Sequence, residues 1–158
     1  MRAFRLLPFG LFVWCAMLGA QIDPHAALTE RAAWTALNAG RAHAAAEAFR
    51  EALTADPKNP RLHLGAGVAA ALERRDADAR DEFARALALD PRLVQARALL
   101  GQMQYRTQRL LAVRTYETLV VMAPDDRQAR ATLERWQREA DAGLAERRAR
   151  DGVGDREP

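Results

Sequence analysis

Between residues 25 and 148 the apolar positions recur every three or four residues, the rhythm of amphipathic helices rather than of strands. Seven helices are predicted, near 25–38, 41–55, 59–73, 76–89, 93–106, 109–122 and 126–148. Gly40 marks the turn between the first two, and Pro57, Pro91 and Pro124 end the second, fourth and sixth, because proline cannot donate an interior helix bond. In the last helix Ala129, Leu133, Trp136, Ala140 and Leu144 make one stripe, on which Trp136 reads as a packing residue. Alternating runs rich in Val, Ile and Thr are missing, so the chain is all-α.

Within this pattern the sequence repeats. Ala45-Ala-Glu-Ala-Phe49-Arg-Glu-Ala52 runs on to Asp56-Pro57, Ala79-Arg-Asp-Glu-Phe83-Ala-Arg-Ala86 to Asp90-Pro91, and Ala112-Val-Arg-Thr-Tyr116-Glu-Thr-Leu119 to Ala123-Pro124. Phe49 and Phe83 are 34 residues apart, Phe83 and Tyr116 are 33 apart, and Ala66-Gly67 and Leu100-Gly101 again differ by 34. This resembles the tetratricopeptide repeat family over residues 26 to 124. The resemblance implies a right-handed α-solenoid of three helix-turn-helix repeats (about 26–58, 60–92 and 93–125) closed by a capping helix at 126–148, with 149–158 as a disordered tail. It also implies roles. Gly67 and Gly101 let paired helices approach, Ala45, Ala79 and Ala112 supply the matching small faces, and Phe49, Phe83 and Tyr116 fill the space between repeats one turn further along. Thr29, Ala33 and Ala36 stand where the family often has Trp, Gly and Tyr, as suits a terminal repeat with one side in solvent. The 33-residue spacing places a one-residue loss in the turn near Thr107 to Arg109.

By the same resemblance, the first helix of each repeat lines a concave groove for an extended peptide or a helix. The register assigns to it Glu30, Trp34, Leu37 and Asn38, then Arg61, Leu64, Val68 and Leu72, then Gln95, Ala98, Gln102, Tyr105 and Arg106. Aromatic and Arg residues are the types that dominate binding hot spots. Members that bind C-terminal carboxylates use a clamp of Lys, Asn and Arg, whereas Glu30, Trp34, Leu64 and Val68 occupy the clamp-equivalent places here. Trp34 has an alternative place against an adjacent helix, and Leu64 and Val68 have one in the core.

Composition narrows the partner. The chain has 158 residues, enough for one domain with a real core, and 49% of them are hydrophobic. Much of that share is alanine, which favours helices that pack closely. With 24 basic and 21 acidic residues the net charge is only +3, so nothing advertises nucleic acid or an anionic membrane surface. Lys58 is the only lysine.

Residues 1–20 read as a secretory signal peptide, with Arg2 and Arg5 ahead of the apolar stretch Leu6 to Leu18 and small Gly19 and Ala20 at a cleavage point after Ala20. An uncleaved anchor is the alternative, although Pro8 and Gly10 interrupt the run, which is shorter than the roughly 20 residues a spanning helix needs. Cys15, the one cysteine, follows bulky Trp14 and does not resemble a lipidation site; cleavage would leave no thiol or disulfide chemistry.

Reactive constellations are missing too. His25, His43 and His63 are spaced too widely for a helical metal pair, there is no phosphate-cradling glycine loop, and the chain contains no serine. Asp76 with Asp78, and Asp125 with Asp126, sit at predicted helix starts and complement the helix dipole. The expectation is therefore a non-enzymatic adaptor or scaffold with a protein or peptide partner. It would use no cofactor, metal, nucleic acid or small-molecule substrate, and membrane contact would be confined to the signal segment. Arg-rich, Ala-rich usage suits a GC-rich bacterial genome and hence a periplasmic or secreted protein. An accessory or truncated front end of a larger exported enzyme, and a self-associating module, remain as alternatives.

Overall fold

A computed structural model describes the backbone of residues 24–154 and the side chains of residues 27–150. The apolar amino-terminal segment, with Cys15 and the expected cleavage point, lies outside the described residues, as do residues 155–158. Seven helices follow one another: α1 Pro24–Asn38, α2 Ala42–Ala55, α3 Pro60–Leu72, α4 Asp76–Leu89, α5 Val94–Tyr105, α6 Arg109–Met122 and α7 Arg127–Gly154. Among the described residues there is no strand, and none of the helices is long and apolar enough to cross a membrane. Helix α3 shows why the starts fall where they do: Pro60 needs no N–H bond in the first turn, and the Asn59 side chain caps the helix by accepting from the Arg61 N–H at 3.0 Å.

The helices pair as α1 with α2, α3 with α4 and α5 with α6, and each pair stacks on the next as an all-α solenoid. One aromatic ring anchors each pair. Phe49 is fully buried among Ala33, Ala45, Ala52 and Leu62, and Phe83 among Ala79, Ala86 and Ala96. Tyr116 packs with Ala112, Leu119, Leu133 and Trp136. Small partners are a geometric necessity here: a Cβ on Gly67 would come within 2.6 Å of the Phe83 ring, and one on Gly101 within 2.6 Å of Tyr116. The first repeat solves the same problem differently. Ala33 replaces the glycine, and Phe49 presses instead on Gly65 of the following repeat, where an added Cβ would overlap the ring.

Two of the turns inside repeats close on a left-handed residue, Gly40 (φ 71°) and Arg74 (φ 63°). Around Gly40 its own N–H and that of Arg41 bond back to Leu37 and Ala36; around Arg74 the equivalent bonds reach Ala71 and Ala70, a common helix-ending pattern. In the third repeat the N–H groups of Thr107 and Gln108 both return to the Gln104 carbonyl, and no described residue there has positive φ. The residue missing from the 33-residue spacing is the left-handed one.

Each joint between repeats carries a second device absent from the sequence reading. The carbonyl of the proline that follows the second helix is left without a helical partner. A side chain six residues later takes it: His63 Nε2 bonds Pro57 at 3.0 Å, Arg97 bonds Pro91 at 2.8 Å, and Arg130 bonds Pro124. His63 also holds Glu82 of α4 through Nδ1 at 2.7 Å, so one side chain joins two repeats.

Helix α7 covers the open end of the array. Trp136, 4% exposed, stacks on Tyr105 with centroids 4.2 Å apart and planes at 10°, and packs obliquely on Tyr116 at 4.5 Å. The helix continues through Gly154, so residues 149–154, expected in a disordered tail, are helical. The run leading into it, residues 145–150, consists of alanine, arginine and Glu146, all strong helix formers, and Glu146 stands four residues before Arg150 in the favourable order. The lone glycines at 152 and 154 weaken a helix without ending it.

Candidate functional site

The first helices α1, α3 and α5 lie on one side of the array and wall an open groove with a mainly apolar lining. It measures about 400 Å³. Trp34 and Leu37 of α1, Leu64 and Val68 of α3, and Ala98 and Leu99 of α5 form its walls. Residues at i, i+3 or i+4 share a helix face, which is why Trp34 with Leu37 and Leu64 with Val68 turn the same way. Toward the start of α3 this groove adjoins a second hollow, bounded by Trp34, Leu64 and Gln95, which line both, and by Arg61 and Leu93.

Trp34 occupies both of the places expected of it. Its indole meets Phe49 edge-on, with centroids 5.0 Å apart and planes at 82°, while it also walls the groove. The indole N–H donates to Glu30 Oε1 at 3.3 Å, which fixes the ring and engages the one acid on α1. Leu64 is likewise shared, 5% exposed yet lining both hollows.

The remaining register positions do not converge on this site. Asn38, the last residue of α1, and Leu72, the last of α3, are exposed and border neither hollow. Gln102 donates to the Tyr116 hydroxyl at 3.2 Å and borders a separate cleft toward α7. Tyr105 is taken up by its stack on Trp136, with the Arg109 guanidinium 5.5 Å from its ring centre, and Arg106 is exposed at the end of α5. Conversely, Leu93 and Leu99 belong to the groove and were not assigned to it. Leu99 stands beside Leu100 in a helix that is apolar on two faces, and that doubling was the available signal.

Charge is distributed unevenly about the fold. Helices α3 and α5 contain no acid and α1 only Glu30, whereas α2 contains two and α4 four. On the α2–α4 side a smaller, charged cleft involves Arg50, Arg75, Asp78 and Glu82, and most of its charges are paired: Arg75 meets Asp78 at 2.6 Å and Arg85 meets Glu82 at 2.6 Å. Nearby, hydrogen bonds from Arg75 and then His43 hold the half-buried Glu73 carboxyl below the usual carboxylate range. Glu73 and then Asp78 raise the Arg75 guanidinium in return. Burial pushes the Tyr116 phenol above its ordinary value, with the Gln102 bond opposing. Among the described residues no three His, Cys, Asp or Glu side chains stand together as a metal site.

No family model matches the sequence, and no curated protein matches it. Solved structures do. The crystal structure of MamA superposes with a TM-score of 0.71 at 19% identity, over 75% of this chain and 71% of that one. The Sgt2 TPR domain from Aspergillus fumigatus gives 0.69 at 18% identity, over 77% and 83%. The first TPR of Spaghetti (RPAP3), bound to the HSP90 peptide SRMEEVD, gives 0.68 at 20% identity, over 73% and 95%. At these identities the agreement is one of fold, and it coincides with the repeat read from Gly67, Phe83, Pro91 and their counterparts: this chain has the tetratricopeptide-repeat fold.

Proposed function

We propose that the chain is a protein-recognition module that receives a peptide or helix of a partner in the groove between α1, α3 and α5. The observation that carries this reading is the open apolar hollow walled by Trp34, Leu37, Leu64, Val68, Ala98 and Leu99. Its size falls within the range of ordinary binding pockets, and its lining is mainly apolar, as binding pockets usually are. The peptide-bound Spaghetti domain supports the reading, since a similar fold there holds a peptide. The function is non-enzymatic, that of an adaptor or scaffold. The signal-like residues 1–20 and the arginine-rich composition support a place in the bacterial envelope.

The test compares the tagged protein with Val68→Arg, which fills the hollow from a half-buried position and leaves Phe49 and Phe83 untouched. A partner captured from the host envelope by the native chain and lost by the variant, with circular dichroism unchanged, supports groove binding. Equal recovery by both moves the binding surface elsewhere.

A further inference from the structure

Resting on that reading, we propose that the groove selects an extended segment in which a bulky apolar side chain lies two residues from an aspartate or glutamate, the apolar group entering the inner hollow and the carboxylate meeting Arg61.

The two hollows adjoin. They share Trp34, Leu64 and Gln95 as common wall, the inner one wholly apolar on α1 and α3 and the outer one holding Arg61. Among the described residues no acid lies within ion-pair distance of Arg61; its backbone N–H caps on Asn59, and its guanidinium is uncommitted. Among the described residues every Arg paired with an acid belongs to the α3–α4 turn or to α4. A purely apolar ligand lying across the outer hollow would cover this guanidinium and strip its water with no compensating bond, which is costly. A basic ligand would add repulsion, and Glu30 offers little relief because it is half-buried and already accepts from the Trp34 indole. A carboxylate supplies the missing partner in a geometry that guanidinium favours.

Spacing follows from helix and strand geometry. The inner hollow is centred between Leu64 and Val68, about five residues from Arg61 and so roughly 7.5 Å along α3 at 1.5 Å per residue. An extended peptide returns to the same side every second residue, roughly 6.6 Å. A side-chain carboxylate fits better than a free chain end, because Gln95 is the only other polar side chain at the outer hollow and no second cation lines it.

A random twelve-residue library, displayed with its carboxyl end joined to the carrier so that only side-chain carboxylates are available, is selected on the full chain, on Arg61→Glu and on Val68→Arg. The native chain should enrich Leu, Phe or Trp two residues from Asp or Glu, Arg61→Glu should replace the acid with Lys or Arg, and Val68→Arg should enrich nothing. Measured singly by fluorescence anisotropy, exchanging the acid of an enriched peptide for lysine should weaken binding by about fivefold, more at low salt. Bulky apolar residues enriched without charge preference, or an unchanged profile on Arg61→Glu, would overturn the acid requirement and leave groove binding standing. No enrichment on the native chain, or enrichment untouched by Val68→Arg, would overturn both.

Discussion

At the scale of single residues, small side chains decide how closely the helices pack. Helix propensity and packing pull in opposite directions at Gly65. Alanine is better in a helix interior by about 1 kcal/mol, but its Cβ would overlap the buried Phe49 ring, and overpacking of this kind costs about 1–3 kcal/mol. Packing wins, so Gly65→Ala should lower stability in urea unfolding. Gly143, with nothing within 4 Å of its would-be Cβ, should show the opposite sign, with Ala raising the helicity of α7 by a gain of up to about 1 kcal/mol. If both substitutions stabilise, propensity alone governs these positions. Gly67 and Gly101 were legible in the sequence because they recur in register with an alanine and an aromatic residue. Gly65 was not, because its counterparts one period away on either side are Arg31 and Leu99.

At the scale of elements, boundaries through α6 were readable to within two residues, since prolines, glycines and caps mark them. The end of the array was not readable in the same way. Register alone turns Tyr105 toward the groove, yet α7 brings Trp136 against it; stacking on a buried indole outweighs exposure of the ring to water. Tyr105 is therefore a support of the cap, and substituting it disturbs the fold rather than reporting on the groove. Trp136→Ala should cost about 3–5 kcal/mol by uncovering both Tyr105 and Tyr116. The expected readout is a lower urea midpoint by circular dichroism. A change below 1 kcal/mol would mean that α7 is dispensable to the third repeat. The clasps from His63, Arg97 and Arg130 to the prolines were present in the sequence as a spacing of six, but nothing in that spacing alone distinguishes a hydrogen-bond donor from a surface cation.

At the scale of the whole molecule, the helices touch mainly their neighbours in sequence, so stability is distributed along a line. The middle pair, α3 and α4, is supported on both sides, whereas α7 is exposed around its circumference from Leu144 to Arg150. Amide hydrogen exchange should therefore be slowest in α3 and α4 and fastest beyond Asp141, with α1 and α6 between. Uniform protection along the chain would instead indicate one cooperative unit. The solenoid was legible because its repeated residues are structural. The groove was legible only in part, because each wall residue answers to two neighbours, as Trp34 does to Phe49 and to the hollow.

The linear arrangement also determines what sets the groove's calibre. Helices α1 and α3 touch over a small area, and α3 is held relative to α5 chiefly through α4. The gap that receives a side chain is thus gauged from behind, by how near Phe83 lets α4 approach the glycine at 67 and how near Phe49 lets α2 approach the one at 65. Substitutions at those buried contacts would widen or narrow the opening by tilting whole helices. A lineage of such proteins could change the size of the residue it admits while every side chain that touches the ligand stayed the same.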